Sequence, residues 1–372
     1  MNPRIVRAGR DHRRRRVLLA PWYYDRAHHV GVSRYAAEAG WTLQDTRAQT
    51  RGFDPDWTGD GVISFHGPSL PHLKFLKEQT VPVVDIGEYG DLSDFPRVRT
   101  DAVAIARLAV EYFAGRGFKD VGFVGDSSSM KRRRDAMRAE AERLGLRFTL
   151  LSLPQLKKQA ETLPRPIGLL AATDGVAVYT MALCEDLGLA VPERVAIMGI
   201  DNDVCRCLPA PVTLTSVDPN MERVGYEAAA LLDRLMDGQP APPGPIDVPP
   251  SGVVERESTN ILATDDPEVA AALGYIFRHF ADPITVADVG AHAGVSLRSL
   301  QARFNVALGR GILEVLNGRR VEEAQRLLVG GRKMKLSAIA ETSGLGDPVR
   351  LIRAFRRYAG TTPRMYARQH KA

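Results

Sequence analysis

A chain of 372 residues, 44% of them apolar, has material for two or three domains with cores of their own. The net charge of +6 is unevenly placed: from Asp266 onward 17 Lys and Arg stand against 9 Asp and Glu, while the preceding stretch is balanced, so a polyanionic partner is expected at the carboxyl-terminal end. Cys184, Cys205 and Cys207 are too few for a disulfide framework and too loosely spaced for structural zinc, and no apolar run approaches membrane length; together these suggest a reducing cytoplasm and no membrane partner.

Residues 1–15 read as a basic, disordered leader, with contact to nucleic acid as the alternative. From Arg16 to about Asn260, short apolar runs alternate with amphipathic helical stretches. Val17 to Ala20, Gly61 to Phe65, Val81 to Ile86, Val121 to Val124, Phe148 to Leu153, Gly168 to Ala172 and Val195 to Ile200 read as buried strands. Val30 to Ala39, Ala102 to Arg116, Arg133 to Leu144 and Gly175 to Leu187 read as helices between them. Apolar strands separated by helices predict an α/β fold with parallel sheets covered on both faces, and the length of the segment predicts two lobes.

Ligands of such sheets collect at the carboxyl ends of the strands. Those ends carry Trp22, Tyr23, Tyr24, Asp25 and Arg26; Asp126 and Ser127 to Ser129; Thr173 and Asp174; and Asp201 with Asn202. Acids and amides beside aromatic rings suit a neutral polyol, since a carboxylate accepts two hydroxyl hydrogen bonds while a ring covers the C–H face of a sugar. Plainer roles remain open: Asp174 as a helix cap, Asp201 with Asn202 as an Asx turn, Tyr23 and Tyr24 as packing residues. His28 and His29 are expected to face solvent at a helix start. The Gly-x-Gly-x-x-Gly and Walker patterns are missing from the sequence and no metal-ligand set stands out, so neither a cofactor nor a metal is expected.

A long amphipathic helix with Val224, Ala228, Leu231, Leu232 and Leu235 precedes the proline-rich run from Pro240 to Pro245, which reads as a loop before a last strand, Ile246 to Val248. Val253 to Thr259 still resembles sheet-edge sequence. The boundary is placed near Leu262 to Asp266, dividing a two-lobed regulatory domain, 16–262, from a helical domain, 266–372.

That helical domain holds one pattern twice. Gly294 is followed by Phe304 and Gly309, and about fifty residues later Gly344 is followed by Phe355 and Gly360. In each copy a short helix (Val286 to Ala293; Leu336 to Ser343) meets a glycine turn and a basic helix, which predicts two helix-turn-helix units joined by a linking helix, Ile312 to Leu328. With Leu297, Leu300 and Phe304 inward, Arg298, Ser299 and Gln301 face outward or flank the core stripe; with Ile352, Phe355 and Ala359 inward, and Asp347 capping a helix that starts at Pro348, Val349, Arg350 and Arg353 face DNA. Arg332, Lys333, Lys335, Arg356 and Arg357 are candidate phosphate contacts.

Thr213 to Pro219, Gly225, Ala228, Leu231 and Leu232, with Val195 to Asn202, resemble the sugar-sensing core of LacI/GalR-type repressors, which is similar to periplasmic binding proteins. Arg320, Ala324, Leu327-Leu328, Ile339-Ala340, Gly344, Phe355 to Arg357, Gly360 to Pro363 and Tyr366 resemble the AraC/XylS DNA-binding domain. Core first and helical module last, the chain resembles the xylose operon regulator family over nearly its whole length. The resemblance implies a two-lobed core binding a sugar, a pentose, and places Tyr24, Asp25, Arg26, Asp174, Asp201 and Asn202 at the pocket, with Arg133 a less complete match. It also implies a homodimer on promoter DNA, where RNA polymerase is a further expected partner. The chain departs from the family at Gly344-Leu345, where an aromatic commonly follows the glycine, at Leu351, where phenylalanine is usual, and at Ser129, where the family can carry tryptophan.

Three other readings compete. Asp25, Asp174 and Asp201 in a cleft could act on a glycosidic bond, making the chain a cytosolic sugar-processing enzyme with an accessory DNA-binding module, though no nucleophile stands out. A DNA-repair methyl acceptor would need an activated Pro-Cys thiolate, which Cys205 and Cys207 do not resemble. A degenerate core that binds no ligand would leave a plain nucleic-acid-binding protein.

Overall fold

The computed structural model describes residues 14–21, 24–45, 57–65, 70–87, 95–125, 130–159, 162–164, 166–264, 266–329 and 334–370. The first lobe begins with β1 (Arg16–Pro21), α1 (Arg26–Ala39), β2 (Thr42–Asp45), β3 (Gly61–Phe65), α2 (Leu70–Lys77), β4 (Val83–Ile86) and β5 (Arg97–Thr100). The chain then crosses to the second lobe: α3 (Ala102–Gly115), β6 (Asp120–Val124), α4 (Lys131–Arg143), β7 (Arg147–Leu151), α5 (Leu153–Gln159), β8 (Ile167–Ala171), α6 (Asp174–Asp186), β9 (Val195–Ile200), α7 (Val204–Cys207) and β10 (Thr215–Asp218). It returns through α8 (Met221–Met236) and β11 (Ile246–Val248) and crosses again to β12 (Gly252–Val254).

Each lobe is a six-stranded sheet, ordered β11-β5-β4-β3-β1-β2 and β12-β10-β9-β8-β6-β7. All pairings in the first are parallel; in the second only β12 runs antiparallel to β10. Strands such as β3, β8 and β9 are buried along their whole length, because helices cover both faces of the sheets. Ile246–Val248 is not the last strand: it joins the first sheet, and Gly252–Val254 closes the second. The short, largely polar β2 and the Arg-containing β5 were not apparent in the sequence, since neither carries an apolar run.

Three crossings near Asp101, Asn220 and residues 249–251 join the lobes. They are tied together by Asp101 N–H to the Val248 carbonyl and Ser251 N–H to the Asp218 carbonyl, both 2.9 Å, while Asn220 takes a left-handed φ of 64° to turn into α8. α1 and α8 pack with their backbones unusually close. A Cβ on Gly31 would overlap the Glu222 carbonyl and one on Gly225 the His28 carbonyl, so both positions require glycine. This contact fixes the first turn of α1 and hence the loop before it.

The carboxyl-terminal domain contains α9 (Pro267–His279), α10 (Val286–His292), α11 (Leu297–Leu308), α12 (Ile312–Val329), α13 (Leu336–Thr342), α14 (Pro348–Ala359) and α15 (Pro363–His370). Two apolar clusters divide it, one around Val269, Ile276, Leu300 and Phe304 and the other around Val321, Ile339, Leu351 and Phe355, with α12 contributing to both. The domain seats against the second lobe at the amino ends of its strands. Arg278 on α9 pairs with Glu193 just before β9 at 2.6 Å, and Ala263 N–H donates to the Arg116 carbonyl at 2.8 Å. It therefore lies at the end of that lobe opposite the carboxyl ends of the strands.

Candidate functional site

The strand order places the cleft. In the first sheet it reverses between β1 and β3, in the second between β6 and β8, and such switch points open a crevice beyond the carboxyl ends of their strands. Asp25 follows β1 and caps α1, its carboxylate accepting from the His28 N–H at 2.9 Å. Asp174 follows β8 and Asp201 follows β9. Arg133, on α4, is buried and donates to the Ala172 carbonyl at 2.6 Å. Although they come from two lobes, Asp25, Asp174 and Arg133 are all close enough for their charges to act on Asp201. Four of the residues expected at the pocket thus converge.

Asp201 has a φ of 125°, a conformation that side chains rarely adopt, and Asn202 follows at 51°; the abrupt turn points the Asp201 carboxylate toward the backbone N–H that begins α6. Burial pushes the Asp201 carboxyl up to about 7; Arg133 opposes this, while Asp174 and Asp25 add to it. Burial also pulls the Asp25 carboxyl up, but the imidazole of His28 and the backbone N–H groups of His28 and Ala27 outweigh it and hold Asp25 below its ordinary value. His28 does not face solvent as the sequence suggested. It is buried, 3.1 Å from the Asp25 carboxylate and beside the Phe65 ring, because the close contact of α1 with α8 turns this face of the helix inward.

Asp174 is wholly buried and is not the cap of α6; Thr173 is, accepting from the Val176 N–H at 3.2 Å. Its carboxylate accepts from the Ser216 hydroxyl at 2.6 Å, the Asp203 N–H at 2.7 Å and the Cys207 thiol at 3.3 Å. Burial raises the Asp174 carboxyl above its ordinary value against these three donors, and burial beside Asp174 pushes the Cys207 thiol up to about 12. Gly199 makes the seat possible, since a Cβ there would collide with Asp174 Oδ1. Asn202 is held at both ends of its amide: Oδ1 accepts from Arg256 at 2.8 Å and Nδ2 donates to Asp218 at 3.4 Å. Ser216, Cys207, Gly199 and Arg256 were not named as site residues from the sequence; only the glycine inside a buried strand was a usable signal of close approach. Tyr24, bonded to His29 at 3.2 Å, and Arg26 are exposed beside the cleft. Trp22, Tyr23 and Asp126 to Ser129 lie outside the described residues.

The second constellation is the pair of helix-turn-helix units. In the first, Thr285 and Asp288 form a reciprocal cap on α10 and Ser296 caps α11. Leu300 and Phe304 are buried, but Leu297 is 43% exposed, so the inward stripe begins one turn later than the spacing suggested. Arg298 is exposed, Ser299 half-buried, and Gln301 folds back over Gly311. Ala302, Asn305 and Val306 are exposed further along α11. In the second unit Asp347 caps α14 through the Val349 and Arg350 N–H groups, at 2.8 and 2.9 Å, with Pro348 opening the helix. Leu351 and Phe355 form its core. Ile352, expected inward, is only half-buried, so Leu351 occupies the place given to it. Val349, Arg350, Arg353, Arg356 and Arg357 are exposed on α14, and Lys335 is exposed before α13. Arg332 and Lys333 lie outside the described residues. Gly344, with φ of 74°, abuts the carbonyl of Phe280 at the end of α9; a Cβ there would collide with it, and Leu345 beside it is buried in the core.

A two-lobed sheet protein with a polar interlobe cleft, joined to paired helix-turn-helix units, defines a class of sugar-responsive, DNA-binding transcription regulators. Comparison with known proteins agrees. Residues 110–259 match a periplasmic binding protein-like domain, and residues 289–369 match a helix-turn-helix domain. The chain is 31% identical to the xylose operon regulatory protein of Escherichia coli strain K12, over 92% of this chain and 93% of that one. It is 28% identical to the protein of the same description from Haemophilus influenzae, over 72% of this chain and 75% of that one. A solved structure of a xylose-binding transcription activator superposes with a TM-score of 0.70 at 27% identity, covering 97% of this chain and 100% of the other. The chain belongs to the family of xylose operon regulatory proteins.

Proposed function

We propose that the effector is a neutral pentose, D-xylose or a close relative, bound between the lobes by Asp25, Asp201, Asn202 and Arg133, with Asp174 buried beneath them to hold the site's floor and Tyr24 and Arg26 at the margin. The observation that carries this reading is the placement of Asp25 after β1 of the first lobe and of Asp174 and Asp201 after β8 and β9 of the second, at the switch points that open the cleft, with Arg133 bonded to the Ala172 carbonyl beside them. A polyol that donates hydroxyls to carboxylates on both sides stabilises the closed arrangement more than the open one, and that difference is what a ligand needs to shift an equilibrium. Closing alters how the domain from residue 266 onward is presented to DNA, with residues 16–262 as its sensor. Arg298, Ser299 and Gln301 of the first unit and Val349, Arg350 and Arg353 of the second read bases; Lys335, Arg356 and Arg357, with Arg332 and Lys333, hold phosphates. The protein acts in the cytoplasm as a homodimer at promoters, where it meets RNA polymerase, and it catalyses no reaction. Among the described residues no helix is long and apolar enough to cross a membrane.

Calorimetry against a panel of pentoses and hexoses, paired with gel-shift titrations on promoter DNA, tests the proposal. Binding of one neutral pentose and a changed operator affinity in its presence are expected. Equal operator affinity with and without every pentose that binds would overturn it, and turnover of a labelled sugar would favour the enzyme reading.

A further inference from the structure

The cleft and the DNA-binding domain lie at opposite ends of the second lobe, so a sugar signal has to cross that lobe. The segment after β12 touches both ends. The Arg256 guanidinium donates to Asn202 Oδ1 at 2.8 Å, holding the turn that carries Asp201, and to the Leu214 carbonyl at 2.7 Å. The Arg256 backbone is locked to β10 in both directions, its N–H to Thr215 Oγ1 at 2.8 Å and its carbonyl from the same hydroxyl at 3.0 Å. Asn202 N–H in turn donates at 3.0 Å to Ser216, the residue whose hydroxyl holds Asp174. On the other side, Glu255 pairs with Arg116 at 2.8 Å. The Arg116 carbonyl anchors Ala263 at the entry to the DNA-binding domain, and its guanidinium lies 3.6 Å over the Tyr112 ring. Arg116 and Glu255 line the same groove as Glu322 of α12, the helix that joins the two helix-turn-helix units. Between this segment and α12 runs a groove of about 1250 Å³, lined by Val254, Arg256 and Glu257 on one side and Phe280, Arg319 and Glu322 on the other. Two surfaces that face each other across a groove with charged walls can shift relative to each other without breaking an apolar core.

We infer that Arg256 and Glu255 form the coupling element between the cleft and the DNA-binding domain: Arg256 registers the position of the Asp201-Asn202 turn, and Glu255, through Arg116, passes a displacement to α12. Arg256 is a positioning residue, acting on the sugar through Asn202 and on DNA through its neighbour. The inference rests on the sugar-responsive reading above.

The test uses the full chain and an operator selected by it from random DNA, with the dissociation constant for DNA measured by fluorescence anisotropy with and without saturating D-xylose, and that for xylose by calorimetry. In the unsubstituted chain the two DNA constants should differ by at least about fivefold. Glu255→Gln and Arg116→Gln should leave xylose affinity and sugar-free DNA affinity within about threefold, while the ratio falls below about twofold. Arg256→Gln should lower the ratio similarly and also weaken xylose binding, and Arg256→Lys, which retains a donor for Asn202, should recover part of both. A merely structural role would lower melting temperature and both affinities and leave the ratio unchanged. An undiminished ratio in Glu255→Gln and Arg116→Gln overturns the coupling element while the sugar-responsive reading stands. A ratio of one in the unsubstituted chain overturns that reading and the coupling element with it.

Discussion

Replacing Asp174 by alanine is expected to act on the fold as well as on the effector, and the size of the effect can be worked from its partners. The carboxylate is wholly buried and accepts from the Ser216 hydroxyl, the Asp203 N–H and the Cys207 thiol. Alanine strands the Asp203 amide and the Ser216 hydroxyl, each at a cost of about 1–3 kcal/mol. The hydroxyl recovers part of its share from the Val217 carbonyl, 3.4 Å away, and the cost of burying a charge is relieved. A net loss of about 3 kcal/mol follows, confined to the second lobe, which corresponds to a fall of roughly 6–12 °C in that lobe's melting transition. The two helix-turn-helix units have cores of their own, so DNA binding without sugar should persist while xylose binding is lost. Differential scanning calorimetry, anisotropy on operator DNA and calorimetric titration with xylose read the three quantities. A melting transition within 2 °C of the unsubstituted chain, by the same scaling, would refute the structural role given to the three hydrogen bonds.

Xylose affinity should fall as pH falls below about 7, because hydroxyl donors need the Asp201 carboxylate ionised; between pH 8 and pH 6 the loss is about tenfold, and Asp201→Asn should flatten the profile. The linked stability runs in the opposite sense. The folded-state value lies above that of an unfolded chain, so the stabilisation is full below the ordinary carboxylate range and is lost as pH rises through about 7, which urea titrations at several pH values would show. Arg353→Ala, exposed on α14, should weaken operator binding by about 1–3 kcal/mol and relax preference at one base while leaving xylose affinity unchanged; equal weakening on every sequence would make it a phosphate contact instead. Gly225→Ala should destabilise the first lobe by about 1–3 kcal/mol, since its Cβ lands on the His28 carbonyl, whereas Gly244→Ala, with open space around it, should change the thermal melt little.

What could be read locally was read correctly for local reasons. The Asp347-Pro348 start of α14 rests on capping chemistry confined to four consecutive residues, and the paired glycine turns and apolar strand runs likewise need nothing beyond their own segment. That Asp174 and Asp201 lie together was also within reach, because a parallel sheet brings the residues after its strands to one edge; Asp25 belongs to the other sheet and meets them only through the arrangement of the two lobes. Only the tertiary structure decided the rest. Whether His28 faces water or Phe65 depends on a helix nearly two hundred positions away that approaches through Gly31 and Gly225. The turn of the helical stripe past Leu297 and Ile352 depends on which neighbours α11 and α14 meet, and an apolar residue at a stripe edge satisfies either rotation. Asp174 shows the limit most plainly. Its position at a strand end was legible, but the three donors that occupy it come from residues 203, 207 and 216, brought there by the return of the chain over the sheet, and spacing along a sequence contains no record of that return.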